Sequence, residues 1–152
     1  HRAGDVARNP ASNAKVLTAV AALSVLGADH RFTTGIFGDL RDGRVDRLVL
    51  RGRGDPTFGA DDLYAMVTEL RAQGLRKVGA VEVDQSFFDG QYLPPAFGQQ
   101  PNEWATFRAP VAAVSLDRNV VTFWLRAGEK KGDPVSLEVS PTGLVELSGS
   151  VT

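Results

Sequence analysis

Asn9-Pro10-Ala11-Ser12-Asn13-Ala14-Lys15-Val16-Leu17-Thr18-Ala19-Val20-Ala21-Ala22-Leu23-Ser24-Val25-Leu26-Gly27 is the stretch on which the reading of this chain turns. Alanine and leucine dominate it, apolar residues recur at helical spacing, and Gly27 supplies a stop. The pattern predicts a helix over residues 13–26. Apolar side chains fall on most of its faces, so the helix is expected to be buried. Ser12 and Lys15 stand three residues apart at its start, which puts both side chains on nearly the same side, one turn apart.

That spacing suits acyl transfer. A hydroxyl is a poor nucleophile at neutral pH and needs a base within hydrogen-bond reach. A lysine can be that base when burial or a neighbouring cation lowers its pKa. A serine at a helix N-terminus also gains the positive end of the helix dipole, which favours a developing oxyanion. The spacing by itself equally suits an N-capping Ser12 and a solvated first-turn Lys15.

Downstream of Gly27 the texture changes. Arg31–Gly38 and Arg44–Arg51 alternate in polarity around Arg41-Asp42-Gly43, which predicts a hairpin with an Asp-Gly turn. Gly52–Gly59 reads as a Gly/Pro loop. Ala60–Gln73 reads as an amphipathic helix with Leu63, Met66, Val67 and Leu70 on one stripe and Gly74 as its stop. Arg76–Asp84 reads as a strand that can be covered on both faces. Ser86–Pro110 is a long connection, and Val111–Ser115, Val120–Arg126, Val135–Val139 and Leu144–Ser148 read as short strands. The expected fold is mixed α/β, with a domain boundary near residue 30.

Composition narrows the chemistry. The chain has 152 residues, 43% of them hydrophobic and 23% charged, as in globular proteins. Its formal net charge of −1 argues against a nucleic-acid or anionic-membrane binder. Cysteine is absent and only His1 and His30 occur, so thiol chemistry is excluded, no metal site is expected and no cofactor is implied. The longest apolar run, Val16 to Leu26, is about 11 residues and too short to span a bilayer.

With these residues in view, the chain resembles the low-molecular-mass class C penicillin-binding proteins, the D-alanyl-D-alanine carboxypeptidase/endopeptidase family. The segment from Asn9 to Leu23 is similar to the family's nucleophile helix, and Gly27-Ala28-Asp29-His30-Arg31-Phe32-Thr33-Thr34 to its exit. Leu48 to Thr57 is similar to its Gly-Asp-Pro loop, Val83 to Asp89 to a strand-end motif, and Ala109 to Asn119 to a further segment. The matches run in order from about residue 9 to 126. Ser-x-x-Lys is shared with all serine β-lactamases and penicillin-binding proteins, whereas the Gly-Asp-Pro loop and the Ala-Pro segment are more specific to this family.

The resemblance implies a β-lactamase/transpeptidase-like domain interrupted by an insertion. Residues 1–30 would be the first piece of the catalytic domain. Residues 31–152 would be an inserted α/β domain, with the start of a further subdomain after about residue 127. Ser12 would be the nucleophile and Lys15 its general base, acting on peptidoglycan peptides and acylated by β-lactams. The resemblance also implies an extracytoplasmic or periplasmic location, and assigns to Glu103 contact with the free amine of a peptidoglycan side chain. The superfamily's other motifs, Ser-x-Asn and Lys-Thr/Ser-Gly, do not occur; Lys130-Lys131-Gly132-Asp133 is not the latter. The chain opens on His1. It is therefore expected to be an N-terminal fragment cut at both ends, inactive alone. The alternative is a non-catalytic module that binds peptidoglycan or a partner protein.

Other features have ordinary readings. Asp55 in Arg53-Gly54-Asp55 is expected to bond nearby backbone N–H groups. His30 is expected at a cap or on the surface. Trp104, Phe107, Phe123 and Trp124 are expected in the core. Glu82, Asp84 and Asp89 match no cation-binding loop.

Overall fold

The computed structural model describes residues 4–99, 101–143, 145, 146 and 148. The fold is mixed α/β, and the chain divides into two compact units, His1–Phe32 and Thr33–Thr152.

The first unit is a 3₁₀ turn, Ala11–Asn13, running into helix α1, Ala14–Leu26. Gly27 ends the helix with φ 83° and donates its N–H to the Leu23 carbonyl at 3.1 Å. The expectation of a buried helix fails. Val16, Leu17, Val20, Leu23 and Val25 are each more than half exposed. A unit this short offers nothing for an all-round apolar helix to pack on.

The second unit is built on strands β1 (Gly35–Phe37), β2 (Arg44–Arg51) and β3 (Lys77–Asp84), in the order β1-β2-β3. β1 and β2 are antiparallel, with Gly35 opposite Arg51 and Phe37 opposite Val49. The expected turn is there: Asp42 and Gly43 both have positive φ, and Arg41 and Arg44 exchange two backbone hydrogen bonds. β1 is much shorter than Arg31–Gly38. β2 and β3 are parallel, which requires a crossover, and helix α2 (Ala60–Ala72) supplies it.

Both ends of α2 follow from local chemistry. The Gly59 N–H donates to Asp62 Oδ2 at 2.9 Å, and the Ala60 N–H reaches Asp117 Oδ1 at 3.3 Å, so a distant carboxylate helps cap the helix. At the other end Leu75 N–H donates to Leu70 O and Gly74 N–H to Arg71 O, a Schellman ending made possible by Gly74 at φ 107°. Leu63, Met66 and Leu70 form the half-buried stripe, while Val67 is exposed.

Among the described residues, Val45, Phe58, Leu75, Ala112 and Ala113 are the buried apolar ones. β3 is an edge strand with Val81 and Val83 at least half exposed, so it is not covered on both faces. Trp104, Phe107, Phe123 and Trp124 are exposed, Trp104 at 91%, so the expectation that they form the core is corrected. None of the four lies in the β1-β2-β3 sheet: Trp104 and Phe107 are in the long connection, and Phe123 and Trp124 are on β4, Thr122–Arg126. Among the described residues that strand pairs only with β5, Ser136–Ser140, in a two-stranded ribbon too thin to bury an aromatic. The strand expected at Val111–Ser115 does not form; its backbone is held by loop and side-chain groups instead. The strand expected at Leu144–Ser148 falls on Leu144 and Leu147, outside the described residues.

Charged side chains line one face of the β2–β3 pair. Arg47 meets Glu82 at 2.8 Å and Arg51 meets Asp84 at 2.7 Å. The Ser86 hydroxyl and N–H donate to Asp84 Oδ1 at 2.6 and 3.0 Å. Those Ser86 bonds, then Arg51, hold the Asp84 carboxyl down at about 2. A carboxyl with a depressed folded-state pKa stabilises the fold above its unfolded value and loses that contribution as pH falls through the folded one. Acidification from about pH 4 to pH 2 is therefore expected to remove this contribution. Thermal midpoints measured across that interval should fall less in Asp84→Asn than in the parent chain; equal slopes would contradict the assignment.

Candidate active site

The chain enters α1 through a constrained turn. The Asn9 side chain accepts the Ala11 N–H at 2.9 Å, and the Asn13 N–H donates to the Pro10 carbonyl at 3.0 Å. Ala11 is held at φ 45°, a left-handed conformation that costs a non-glycine residue energy and recurs next to reactive groups. Ser12 is the middle residue of the 3₁₀ turn, and in such a turn positions three apart eclipse one another. The turn therefore brings Lys15, in the first turn of α1, over Ser12: Nζ lies 3.3 Å from Oγ. Both side chains are exposed. The distance is at the outer edge of proton-transfer reach, as is common before substrate closes a site.

Glu103 belongs to the second unit. It lines a cleft of about 840 Å³ with Pro95, Phe97, Trp104 and Arg108. The Arg108 guanidinium packs over the Phe97 ring and donates to its carbonyl. Glu82 and Asp84 face arginines, and Asp89 accepts the Gln91 N–H. Asp55 behaves as expected, accepting from both the N–H and the hydroxyl of Thr57. His30 is exposed, edge-on to Phe32 at 5.1 Å between ring centres.

The sequence did not reveal what its shared segments do together. Three of them meet around Ala113 and Val114. The Gln85 side chain grips Val114 at both backbone groups, donating to its carbonyl at 3.2 Å and accepting its N–H at 2.8 Å. The Gly54 N–H donates to Ala113 O at 2.9 Å. Asn119 Nδ2 donates to Pro110 O at 2.9 Å and lies 3.0 Å from Ser115 Oγ. The Gly-Asp-Pro loop, the strand-end motif and the Ala-Pro segment are thus one stitched structure. The paired glycines at 52 and 54 beside a small Ala112-Ala113 pair are the signal of that close approach.

Set beside known proteins, residues 1–149 match the D-Ala-D-Ala carboxypeptidase 3 (S13) family, and the chain belongs to it. The resemblance read from the motifs is borne out at that level. A D-alanyl-D-alanine carboxypeptidase of an Actinomadura species is 42% identical over 111 residues, covering 70% of this chain and 20% of that one. The D-alanyl-D-alanine carboxypeptidase DacB of Haemophilus influenzae is 32% identical over 146 residues, 93% of this chain and 30% of the relative. The crystal structure of penicillin binding protein 4 from Haemophilus influenzae superposes with a TM-score of 0.70 at 30% identity, over 87% of this chain and 30% of that chain. A second structure of that protein, complexed with a β-lactam, superposes with a TM-score of 0.62 at 28% identity, over 93% of this chain and 29% of that chain. The chain thus spans 20–30% of the length of these proteins. Among the described residues no helix is long and apolar enough to cross a membrane.

Proposed function

We propose that the protein carrying this chain is a serine-type D-alanyl-D-alanine carboxypeptidase or endopeptidase that acts on peptidoglycan peptides outside the cytoplasm. The observation that carries the reading is the 3.3 Å contact between Lys15 Nζ and Ser12 Oγ in a chain of this family. Ser12 Oγ attacks the carbonyl carbon of the penultimate D-alanine, and its proton passes to Lys15 Nζ. The C–N bond then breaks, and the lysine returns the proton to the departing amine. Water hydrolyses the resulting ester and frees Ser12. A β-lactam acylates the same oxygen. Residues 1–30 serve as the first segment of the catalytic domain and residues 31–152 as an insertion; the division at Phe32–Thr33 supports this. Glu103, on the wall of its cleft, meets the free amine of the peptide side chain.

The test is D-alanine release by the protein at its natural length from a peptide ending in D-Ala-D-Ala. One D-alanine per peptide is expected, and none from a peptide ending in L-Ala-L-Ala. Glu103→Gln should raise KM for a peptide with a free side-chain amine and leave the acetylated peptide unaffected. Release that is absent, or indifferent to stereochemistry, would remove the reading in favour of a binding module. A polypeptide limited to residues 1–152 should release nothing. Desolvation or nearby cations are what prepare a lysine as a base, and in these residues Lys15 stands exposed to solvent.

A further inference from the structure

Asp117, Arg118 and Asn119 all lie in the left-handed region, at φ 47°, 60° and 55°. Three such residues in succession, none of them glycine, are disfavoured and persist only where the surroundings over-determine them. The surroundings do so here. The Asp117 N–H donates to Phe58 O, its carboxylate accepts from Ala60 N–H, and the Asn119 amide is tied to Pro110 and Ser115. Arg118 at the crest is exposed and makes no ion pair or hydrogen bond among the described residues. The strain thus holds in place an arginine that has no structural partner.

Arg118 borders a cleft of about 410 Å³ walled by Pro56, Phe88, Phe107 and Val111, a size at the small end of ligand pockets. The cleft's other charged lining residue is Asp55. Both of Asp55's internal bonds fall on Oδ1, so Oδ2 can accept another donor. A cation and an anion on an otherwise apolar wall complement a ligand that carries both charges on an apolar body.

We propose that this cleft binds a short apolar peptide with both termini free, a dipeptide in size. Its carboxylate lies on the Arg118 guanidinium, its ammonium on Asp55, and its side chains among Phe88, Phe107 and Val111. Binding here does not depend on the Ser12 chemistry. Leucyl-leucine is the probe, titrated calorimetrically into the protein at its natural length, with Ser12 replaced by alanine so that no turnover intervenes. Saturable binding is expected, weakened about tenfold or more by N-acetylation or by C-terminal amidation. Arg118→Gln should lose the preference for the free carboxylate. Asp55→Asn, which keeps the oxygen that Thr57 uses, should lose the preference for the free amine. Equal binding of the blocked dipeptides, leucine binding as tightly as leucyl-leucine, or no binding at millimolar concentration would overturn the proposal. The blocked-ligand series needs no variant in the cleft, so it decides the matter even if a substitution there impairs folding.

Discussion

Ser12→Ala is expected to abolish acylation by both D-alanyl peptides and penicillin in the protein at its natural length, a loss on the order of 10⁶ in rate, the size seen when a serine hydrolase loses its nucleophile. Lys15→Ala should cost nearly as much, and the double variant little more than either, because nucleophile and base act as one unit. Lys15→Arg separates charge from basicity. The guanidinium keeps the positive charge but does not deprotonate in proteins, so it cannot take the serine proton. If Lys15→Arg retained substantial activity, Lys15 would be an electrostatic partner and not a base. Stopped-flow acylation rates check all four proteins.

Gly52→Ala is expected to destabilise the second unit by about 3 kcal/mol or more, the upper range for forcing atoms into a filled space. A Cβ on Gly52 would sit 2.2 Å from the Ala113 carbonyl oxygen and 2.9 Å from Val114 Cγ2. The first of these is backbone, so it cannot rotate away. The segment that Gln85 and Gly54 hold would have to move as a whole. Gly98, where a Cβ meets nothing within 4 Å, is the control. Gly52→Ala should lower the thermal midpoint by about 10 °C, while Gly98→Ala should leave it nearly unchanged. Equal effects would mean that the loop yields.

These two cases show what was legible in the sequence. Ser12 and Lys15 were readable because their relation is local: three residues at a helix start fix which way two side chains point. The same holds for the Asp42-Gly43 turn and for α2, whose stop at Gly74 and apolar stripe lie within a few residues of what they control. Val111–Ser115 was misread because a short apolar run looks like a strand until its partners are known. Here those partners are an amide side chain and a glycine N–H, 29 and 59 residues away. The burial of α1 and of Trp104 was misjudged for a related reason. Apolarity says that a face can be covered, and what covers it is a property of the whole assembly. The left-handed turn at 117–119 left a partial trace, since aspartate and asparagine tolerate that region while arginine does so rarely.

Ser12 is the residue expected to carry the acyl group. Treating the protein at its natural length with benzylpenicillin, digesting it and sequencing the labelled peptide by mass spectrometry tests it directly. One penicilloyl adduct per molecule is expected, on Ser12, absent from Ser12→Ala. An adduct on any other residue, or equal labelling of Ser12→Ala, would contradict it.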